Sequence, residues 1–325
     1  MANRTGADGA DSSSDAIIRA AALERDDFTQ AVIQFEKRYH VAVQSSLFQP
    51  ITSASDGAQF GDLTRVPIEV MSTICSMLDA KSAFQFSHVS RRARETTATV
   101  PAFSRVRAYG SEALRAVLKT GFGSHLSVAD IDRALTSSEC VVCKEFGCFF
   151  FIPLAARCCF ECLRCEDELG AIKLSDLQYI MERSAAELKK AVPVLRTLPG
   201  TYRDVYLRTV AKPRRRRMDI LSEKTGLAYA VAQGEVDAPD LRLNCEMVDC
   251  YRFMAATRLP FFDTGTGVAD AGLCCRGCRE ARQTAAVATW TSDFKVRQKM
   301  FLEPKFLEHF ASCTAAQECC RSARS

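Results

Sequence analysis

The chain has 325 residues, of which 47% are hydrophobic, and this is enough for a sizeable buried core divided between two or three domains of about 100–200 residues each. A net charge of +4 is small for this length, so composition alone predicts neither a nucleic-acid binder nor a polybasic membrane protein. The start, MANRTGADGADSSSD, is polar and acidic where a signal peptide needs a basic start and an apolar run, and the apolar run from Cys148 to Ala156 is too short to span a bilayer. We therefore expect a soluble intracellular protein of the cytoplasm, the nucleus or both.

The 16 cysteines are best interpreted with this compartment in mind. Thiols of the cytosol and nucleus are kept reduced, and closely spaced cysteine pairs there more often bind metal than form disulfides. A nucleophilic cysteine would need an imidazole base, and none of the four histidines lies in a recognisable catalytic motif. Those histidines are His40, His88, His125 and His309.

Residues 1–60 are predicted to form an N-terminal extension that is partly disordered. Residues 1–14 have the small, polar composition of a disordered segment, and the residues that follow show only patchy helical periodicity. The cluster of Pro, Ser, Gly and Asp in QPITSASDGAQFGD then indicates a linker.

Amphipathic helices are predicted next. Pro67 suits the first turn of a helix, and Ser82 is the predicted cap of a second helix that carries Phe86, Val89 and Ala93. Further helices are predicted at SEALRAVLKT and at SVADIDRAL, where Ser127 and Asp130 have the spacing of a capping box. One apolar stripe is predicted for the first helix: Val70, Met71, Ile74, Cys75 and Leu78.

A series of residues begins with Leu63, continues through Val66-Pro67, Glu69-Val70, Ile74 and Leu78, and ends at the corner Val89-Ser90-Arg91. With this series, residues 61–103 resemble the F-box, a short helical module that binds the Skp adaptor of cullin-RING ubiquitin ligases. A Val stands before the F-box proline, at Val66, where Leu is more usual. The resemblance implies an adaptor-binding set made of Leu63, Val66, Pro67, Glu69, Val70, Ile74, Leu78 and Val89.

The segment CVVCKEFGCFFFIPLAARCCFECLRC carries the first cysteine cluster. Cys140 and Cys143 form one CxxC pair and Cys159 and Cys162 form a second, with fifteen residues between the pairs, which is the spacing of a four-thiolate zinc site. Spacing alone also allows Cys162 to pair with Cys165 instead.

Other residues of this segment have separate predicted roles. Cys158 cannot easily share a site with its neighbour Cys159, and Cys148 is predicted to lie in a short aromatic strand. Gly147 is predicted to take a tight turn after the first pair.

The same segment is similar to one found in many fungal F-box proteins, in which CxxC is followed by Phe-Gly, an aromatic-aliphatic run and Arg-Cys-Cys-x-x-Cys-Leu. That register favours Cys159 and Cys162 as ligands. The similarity continues at VPVLRTLPGTY, YRFMAATRLPFFD, GLCCRGC and FLEHFASCTAAQ, and it covers most of residues 60–317.

A second metal site is predicted near the C-terminus. Cys275 and Cys278 flank Arg-Gly, while His309 and Cys313 are four residues apart in a helix that Pro304 can open, so both face the same side of that helix. Cys274, Cys319 and Cys320 are alternative ligands, and Cys245 and Cys250 remain unassigned.

The predicted fold is mainly α with small zinc-stapled irregular or β elements: an N-terminal helical F-box followed by a cysteine-rich α+β region. Beyond the F-box, residues 104–170 hold helices and the first cluster, and residues 171–325 hold the substrate-recognition region and the second cluster. Neither cluster has an apparent open coordination position, so both are interpreted as structural zinc, two ions in all.

The predicted function is that of a non-catalytic subunit of a Skp/cullin/F-box ubiquitin ligase, with the Skp adaptor, cullin and a protein substrate as partners. A RING-type ligase would need two interleaved four-ligand sites in one short segment, and no histidine lies between Cys140 and Cys165. The alternative is a zinc-stabilised nucleic-acid-binding or regulatory protein. It draws on the basic run KPRRRR at 212–217, which is also interpreted as a nuclear import signal or as a solvated loop.

Overall fold

The computed structural model describes residues 13–35, 63, 65–202, 205, 213–235, 251–284 and 299–323. The fold is mainly helical, as predicted, because 56% of the described residues lie in helices. Most of the predicted disordered start, the predicted linker at 49–62, and Cys245 and Cys250 lie outside the described residues. No helix of the described part combines the length and the apolar character needed to cross a bilayer.

The described residues form sixteen α-helices and eleven short strands. The helices are α1 (Ser13–Ala21), α2 (Asp26–Thr29), α3 (Ile68–Met77), α4 (Ala80–Phe86), α5 (Arg91–Thr99), α6 (Pro101–Tyr109), α7 (Ser111–Lys119), α8 (Val128–Thr136), α9 (Phe160–Cys165), α10 (Leu174–Met181), α11 (Ala185–Ala191), α12 (Glu223–Ala232), α13 (Tyr251–Met254), α14 (Arg276–Thr284), α15 (Glu303–Ser312) and α16 (Thr314–Ser322). The strands are β1 (Ala22–Leu23), β2 (Phe149–Phe151), β3 (Ala156–Cys158), β4 (Ala171–Lys173), β5 (Leu195–Arg196), β6 (Asp219–Ser222), β7 (Ala256–Arg258), β8 (Phe261–Phe262), β9 (Ala269–Asp270), β10 (Leu273–Cys275) and β11 (Met300–Phe301).

The chain divides into two compact units, Asp26–Ala271 and the combination of Met1–Arg25 with Gly272–Ser325. In the first unit, antiparallel pairing gives two three-stranded sheets with strand orders β3-β2-β7 and β4-β6-β5, and a hairpin of β8 with β9. In the second unit, β10 lies between β1 and β11. The strand β1 comes from the predicted N-terminal extension, which therefore contributes to the unit that holds the C-terminal cysteine cluster.

The helices α3 to α5 begin and end differently from the prediction. Asp79, not Ser82, caps α4, and its carboxylate accepts from the Ser82 backbone N–H at 2.9 Å. The predicted helix through Ala93 is two helices, because Ser90 starts α5 with a side-chain cap on the Ala93 N–H. Val89 lies between them and is 74% exposed.

The helices α6, α7 and α8 pack against one another. The predicted capping box of Ser127 and Asp130 is present at the start of α8. Arg105 of α6 donates to both carboxylate oxygens of Asp132 in α8, at 2.9 and 2.5 Å. The chain then passes directly from α8 into the first cysteine cluster.

Aromatic side chains form the core beside β2. The ring of Phe28 stacks on Phe160 at 4.7 Å, and Phe149 lies 5.4 Å from Phe28 and 5.7 Å from Phe160. All three are buried, so they fix α9, which carries Cys162 and begins directly after Cys159, against the sheet.

Candidate metal centres and adaptor-binding face

The first cysteine cluster has the geometry of a four-coordinate metal site. The Sγ atoms of Cys140, Cys143, Cys159 and Cys162 all lie within 4.8 Å of one another, and Cys143 and Cys159 are 3.7 Å apart. Tetrahedral coordination with metal–sulfur bonds of about 2.3 Å places sulfurs about 3.8 Å apart, whereas a disulfide bond is about 2.05 Å long. The four thiols therefore fit a metal ion and do not form disulfides.

Two local structures aim these thiols at one point. In the first pair, a turn closes with the Lys144 N–H donating to the Cys140 carbonyl at 3.1 Å, and Lys144 takes the left-handed backbone with φ 63°. In the second pair, Cys159 is the N-cap of α9 and its Sγ accepts from the Cys162 N–H at 3.4 Å. The turn and the helix start therefore place the four Sγ atoms within 4.8 Å of one another.

The remaining cysteines of the segment lie outside this group. Cys148 and Cys158 are buried, and Cys148 directly precedes β2. Cys165 is exposed, and its Sγ lies 3.3 Å from the Arg164 guanidinium and 4.0 Å from the Glu161 carboxylate. The structure thus brings Cys159 and Cys162 to the first pair and leaves Cys165 aside.

Gly147 is required for a reason that the sequence did not suggest. Its φ is not positive, so the prediction that it takes the tight turn is wrong; Lys144 has that conformation. A Cβ at Gly147 would instead lie 2.8 Å from the carbonyl carbon of Cys158. Glycine here allows the chain after the first pair to approach β3, which leads into the second pair.

Gly147→Ala is expected to lower the melting temperature, because the two backbones must separate to admit the methyl group. Overpacking of this kind costs about 1–3 kcal/mol, and each kcal/mol corresponds to about 2–4 °C in a unit of this size. Gly265→Ala is the matched control, since its Cβ would meet only the Asp263 Oδ1 at 3.3 Å. Differential scanning calorimetry checks the prediction, and equal melting temperatures for the two variants would contradict it.

Hydrogen bonds and burial within the first cluster shift the pKa values of its thiols in opposite directions. A hydrogen bond with Cys159 lowers the pKa of Cys140 to about 4, while the pKa of Cys159 is raised by the same contact and by burial. Burial and the nearby Cys140 raise the pKa of Cys162. The lowered pKa favours a thiolate at Cys140, and the raised pKa values disfavour further thiolates beside it. A bound divalent cation would stabilise all of these negative charges.

The second cluster has comparable geometry in the other compact unit. The ligand atoms of Cys275, Cys278, His309 and Cys313 lie within 4.8 Å of one another. The Cys278 Sγ is 3.6 Å from that of Cys313 and 3.5 Å from the His309 Nε2. A tetrahedral ion with bonds of about 2.3 Å to sulfur and about 2.05 Å to nitrogen would separate those atoms by about 3.8 and 3.5 Å.

Sheet and helix ends position the second cluster. Cys275 ends β10, Cys278 lies in the first turn of α14, and Cys313 separates α15 from α16. The Phe301 ring of β11 stacks on the His309 imidazole at 4.7 Å and holds its orientation. As in the first cluster, the pKa of one thiol, Cys275, is lowered to about 5, chiefly by a hydrogen bond from Cys278.

The alternative ligands lie away from the second group. Cys274 is buried and points to the opposite side of β10 from Cys275, as successive strand residues do. Cys319 lies 3.8 Å from the Glu280 carboxylate, and Cys320 lies 4.0 Å from the Ile17 carbonyl.

The predicted adaptor-binding residues have accessible side chains. Leu63, Pro67, Glu69, Val70, Ile74 and Val89 are exposed, and Val66 and Leu78 are half-buried. The single apolar stripe predicted for α3 is wrong, because only Met71 and Cys75 of that set are buried. Ile74, which the stripe would place in the core, is 46% exposed.

The prediction also missed two exposed apolar residues of the same helix, Ile68 and Met77, which are 39% and 80% exposed. The signal was present in the sequence. The ten residues of α3 contain more apolar side chains than one buried face can accept, so two faces should have been expected.

Comparison with known proteins adds one match. The family model of the F-box domain matches residues 63–104. Searches of curated proteins and of solved structures give no match. The matched range begins at the exposed Leu63 and ends within α6, so it contains the helix with two apolar faces. Residues 63–104 are therefore an F-box domain, and the chain combines it with a cysteine-rich region that contains two groups of four residues able to hold a metal ion.

Proposed function

We propose that the chain is the substrate-recognition subunit of a Skp/cullin/F-box ubiquitin ligase. The F-box would bind the Skp adaptor, and the cysteine-rich region would present a binding surface to a target protein. Ubiquitin transfer would belong to the partners, and the chain itself would be non-catalytic. The observation that carries this proposal is the second apolar face of α3.

That face is unusual for a protein surface. Val70, Ile74 and Met77 are 47%, 46% and 80% exposed and recur at spacings of four and three residues, so they form a continuous apolar stripe. Met71 and Cys75 already anchor α3 to its own unit. Contiguous exposed apolar side chains on a helix indicate a surface that another protein covers.

Zinc is the metal that we assign to both clusters. Thiolate-rich sets with one histidine or none are typical of structural zinc, and separations of 3.5–3.9 Å between the ligand atoms match its tetrahedral preference. The eight proposed ligands are Cys140, Cys143, Cys159, Cys162, Cys275, Cys278, His309 and Cys313. Free thiols at such distances suit a reducing compartment, which supports a location in the cytoplasm, the nucleus or both.

The alternatives have less support. A RING-type ligase interleaves its two metal sites, whereas the two groups here belong to different compact units. The alternative of a nucleic-acid-binding or regulatory protein accounts for the metal clusters but leaves the exposed face of the F-box without a role.

The test is co-purification of the full chain with the Skp adaptor. Val70→Asp with Ile74→Asp should abolish recovery, because hot-spot positions contribute at least about 2 kcal/mol each and a charge in an apolar interface is strongly unfavourable. Helical content and metal content are measured first and should not change, since both side chains are outside the core.

Tyr179→Asp with Val268→Asp provides the matched control. These residues are 88% and 59% exposed and lie outside the F-box, so their loss should leave adaptor recovery unchanged. If the wild-type chain fails to recover the adaptor at micromolar concentrations, or if both double variants recover it equally, the proposed function is wrong.

A further inference from the structure

The basic run at 212–217 is fixed to a sheet edge along the part that the structure describes. Gly200 and Arg214 exchange both backbone hydrogen bonds, at 3.0 and 2.8 Å. Beyond the run, the Thr197 N–H donates to the Met218 carbonyl at 2.8 Å, and the Met218 N–H donates to the Thr197 Oγ1 at 2.8 Å. Arg215, Arg216 and Arg217 therefore bulge outward opposite only two residues.

This bulge carries charge that the described residues do not neutralise. Arg215, Arg216 and Arg217 are exposed and form no ion pair with any described residue. The adjacent acid, Asp219, is already paired with Lys189 of α11 at 2.6 Å. The nearest carboxylate of α11, Glu187, is bound to the backbone and hydroxyl of Ser184.

Further cations extend the charge around the bulge. Arg196 is exposed on β5 and is the direct cross-strand partner of Asp219 in β6. Lys190 is exposed on α11, which the Lys189–Asp219 pair holds against the same sheet. We call the surface formed by Arg196, Lys190 and Arg215–Arg217 the arginine platform.

We propose that the arginine platform binds a carboxylate-rich acidic segment of a partner protein; as a substrate-docking surface, this rests on the proposed function. Guanidinium forks bind carboxylates in a bidentate manner, and four of the five cations of the platform are arginines. Hydrogen bonds at Arg214 and Met218 fix the backbone on both sides of the bulge, which lowers the entropy cost of ordering it on binding.

A protein segment fits this surface better than a single-stranded nucleic acid. Nucleic-acid grooves combine basic residues with exposed aromatic rings on which bases stack. In the described part of 195–219, the aromatic residue is Tyr202, which is 6% exposed and whose hydroxyl donates to the Leu198 carbonyl at 2.8 Å. Among the described residues, the platform therefore offers charge without an exposed aromatic ring.

The experiment measures fluorescence anisotropy of a labelled oligoglutamate peptide with the purified full chain. We expect binding that an oligoglutamine peptide of equal length does not show. Arg215→Ala, Arg216→Ala and Arg217→Ala together should weaken it by about threefold to a hundredfold, because each exposed ion pair contributes about 0.2–1 kcal/mol and the three act on one ligand. The corresponding triple Lys variant should bind with intermediate affinity, since it keeps the charge and loses the fork.

A charge-matched control removes three cations elsewhere, as Arg133→Ala, Lys305→Ala and Arg321→Ala, and should leave binding unchanged. The proposal is overturned if the triple arginine variant binds like wild type, if the control weakens binding equally, or if an oligothymidylate of the same charge binds more tightly than the peptide. Adaptor co-purification of the triple arginine variant separates the two proposals, because it should remain normal whether or not the peptide binds.

Discussion

Replacement of Cys159 by serine is expected to lower the zinc content from two ions per chain to one and to leave the region around residues 140–165 unfolded. The apparent binding free energy of a structural zinc ion is about 10–16 kcal/mol at neutral pH, whereas the free energy of unfolding of a domain is about 5–15 kcal/mol. A site deprived of one thiolate ligand loses enough of this energy to release the metal. Serine preserves the helix cap, since its hydroxyl can accept from the Cys162 N–H in place of Sγ, so the effect isolates the metal.

Cys165→Ser is the matched control for this change. Cys165 is only three residues from Cys162, but it is exposed and its Sγ contacts Glu161 and Arg164. We expect it to retain both ions and resistance to protease. Metal is measured by inductively coupled plasma mass spectrometry and folding by limited proteolysis. Retention of both ions by the Cys159 variant, or loss of one by the Cys165 variant, would show that the ligand assignment is wrong.

Arg157→Met is expected to be the most damaging substitution away from the clusters. Arg157 is 3% exposed, and its guanidinium donates to four backbone carbonyls: Ala134 at 2.7 Å, Gly147, Leu259 at 3.2 Å and Pro260 at 2.5 Å. Burial lowers the pKa of Arg157 to about 10, so the group remains charged at neutral pH. Methionine would leave these carbonyls without donors in the interior, at a cost of about 1–3 kcal/mol each.

The measurement is the denaturant midpoint of the purified variants. Arg133→Met is the control, because that side chain is 73% exposed and should change stability by no more than about 0.5 kcal/mol. Arg157→Lys keeps a charged donor but lacks the planar guanidinium fork, so its denaturant midpoint should lie between those of the Arg157→Met and Arg133→Met variants. It also tests the role of Arg157 if the Met variant is insoluble. Equal midpoints for the Arg157 and Arg133 variants would contradict the role of this side chain.

Local signals predicted much of the molecule. The double CxxC spacing and the HxxxC helix predicted two sets of residues that the fold brings together. The capping box at Ser127 was also readable, because it depends on residues three positions apart. Such features are fixed by spacing along one turn or one helix, so the sequence contains them directly.

Features that depend on distant residues could not be predicted. Gly147 is needed because β3 passes close to it, and nothing within the segment shows that approach. The exposed position of Ile74 depends on which face of α3 the rest of its unit covers. Likewise, β1 finds its partner β10 about 250 residues later, and two-residue strands have no detectable alternation.

The pairing of β1 with β10 also bears on how the protein is made. Ala22 pairs with Cys275 and Leu23 with Cys274, so the earliest described strand must wait for the late part of the chain. At translation speeds of about 5–20 residues per second, that wait lasts about 12–50 s. During it, the apolar residues Ile17 and Ile18 of α1, which later pack beside Cys320 and Phe306, have no partners from their own unit. The apolar face of α1 therefore stays uncovered by the C-terminal part of its unit until residues 273–320 have been synthesised.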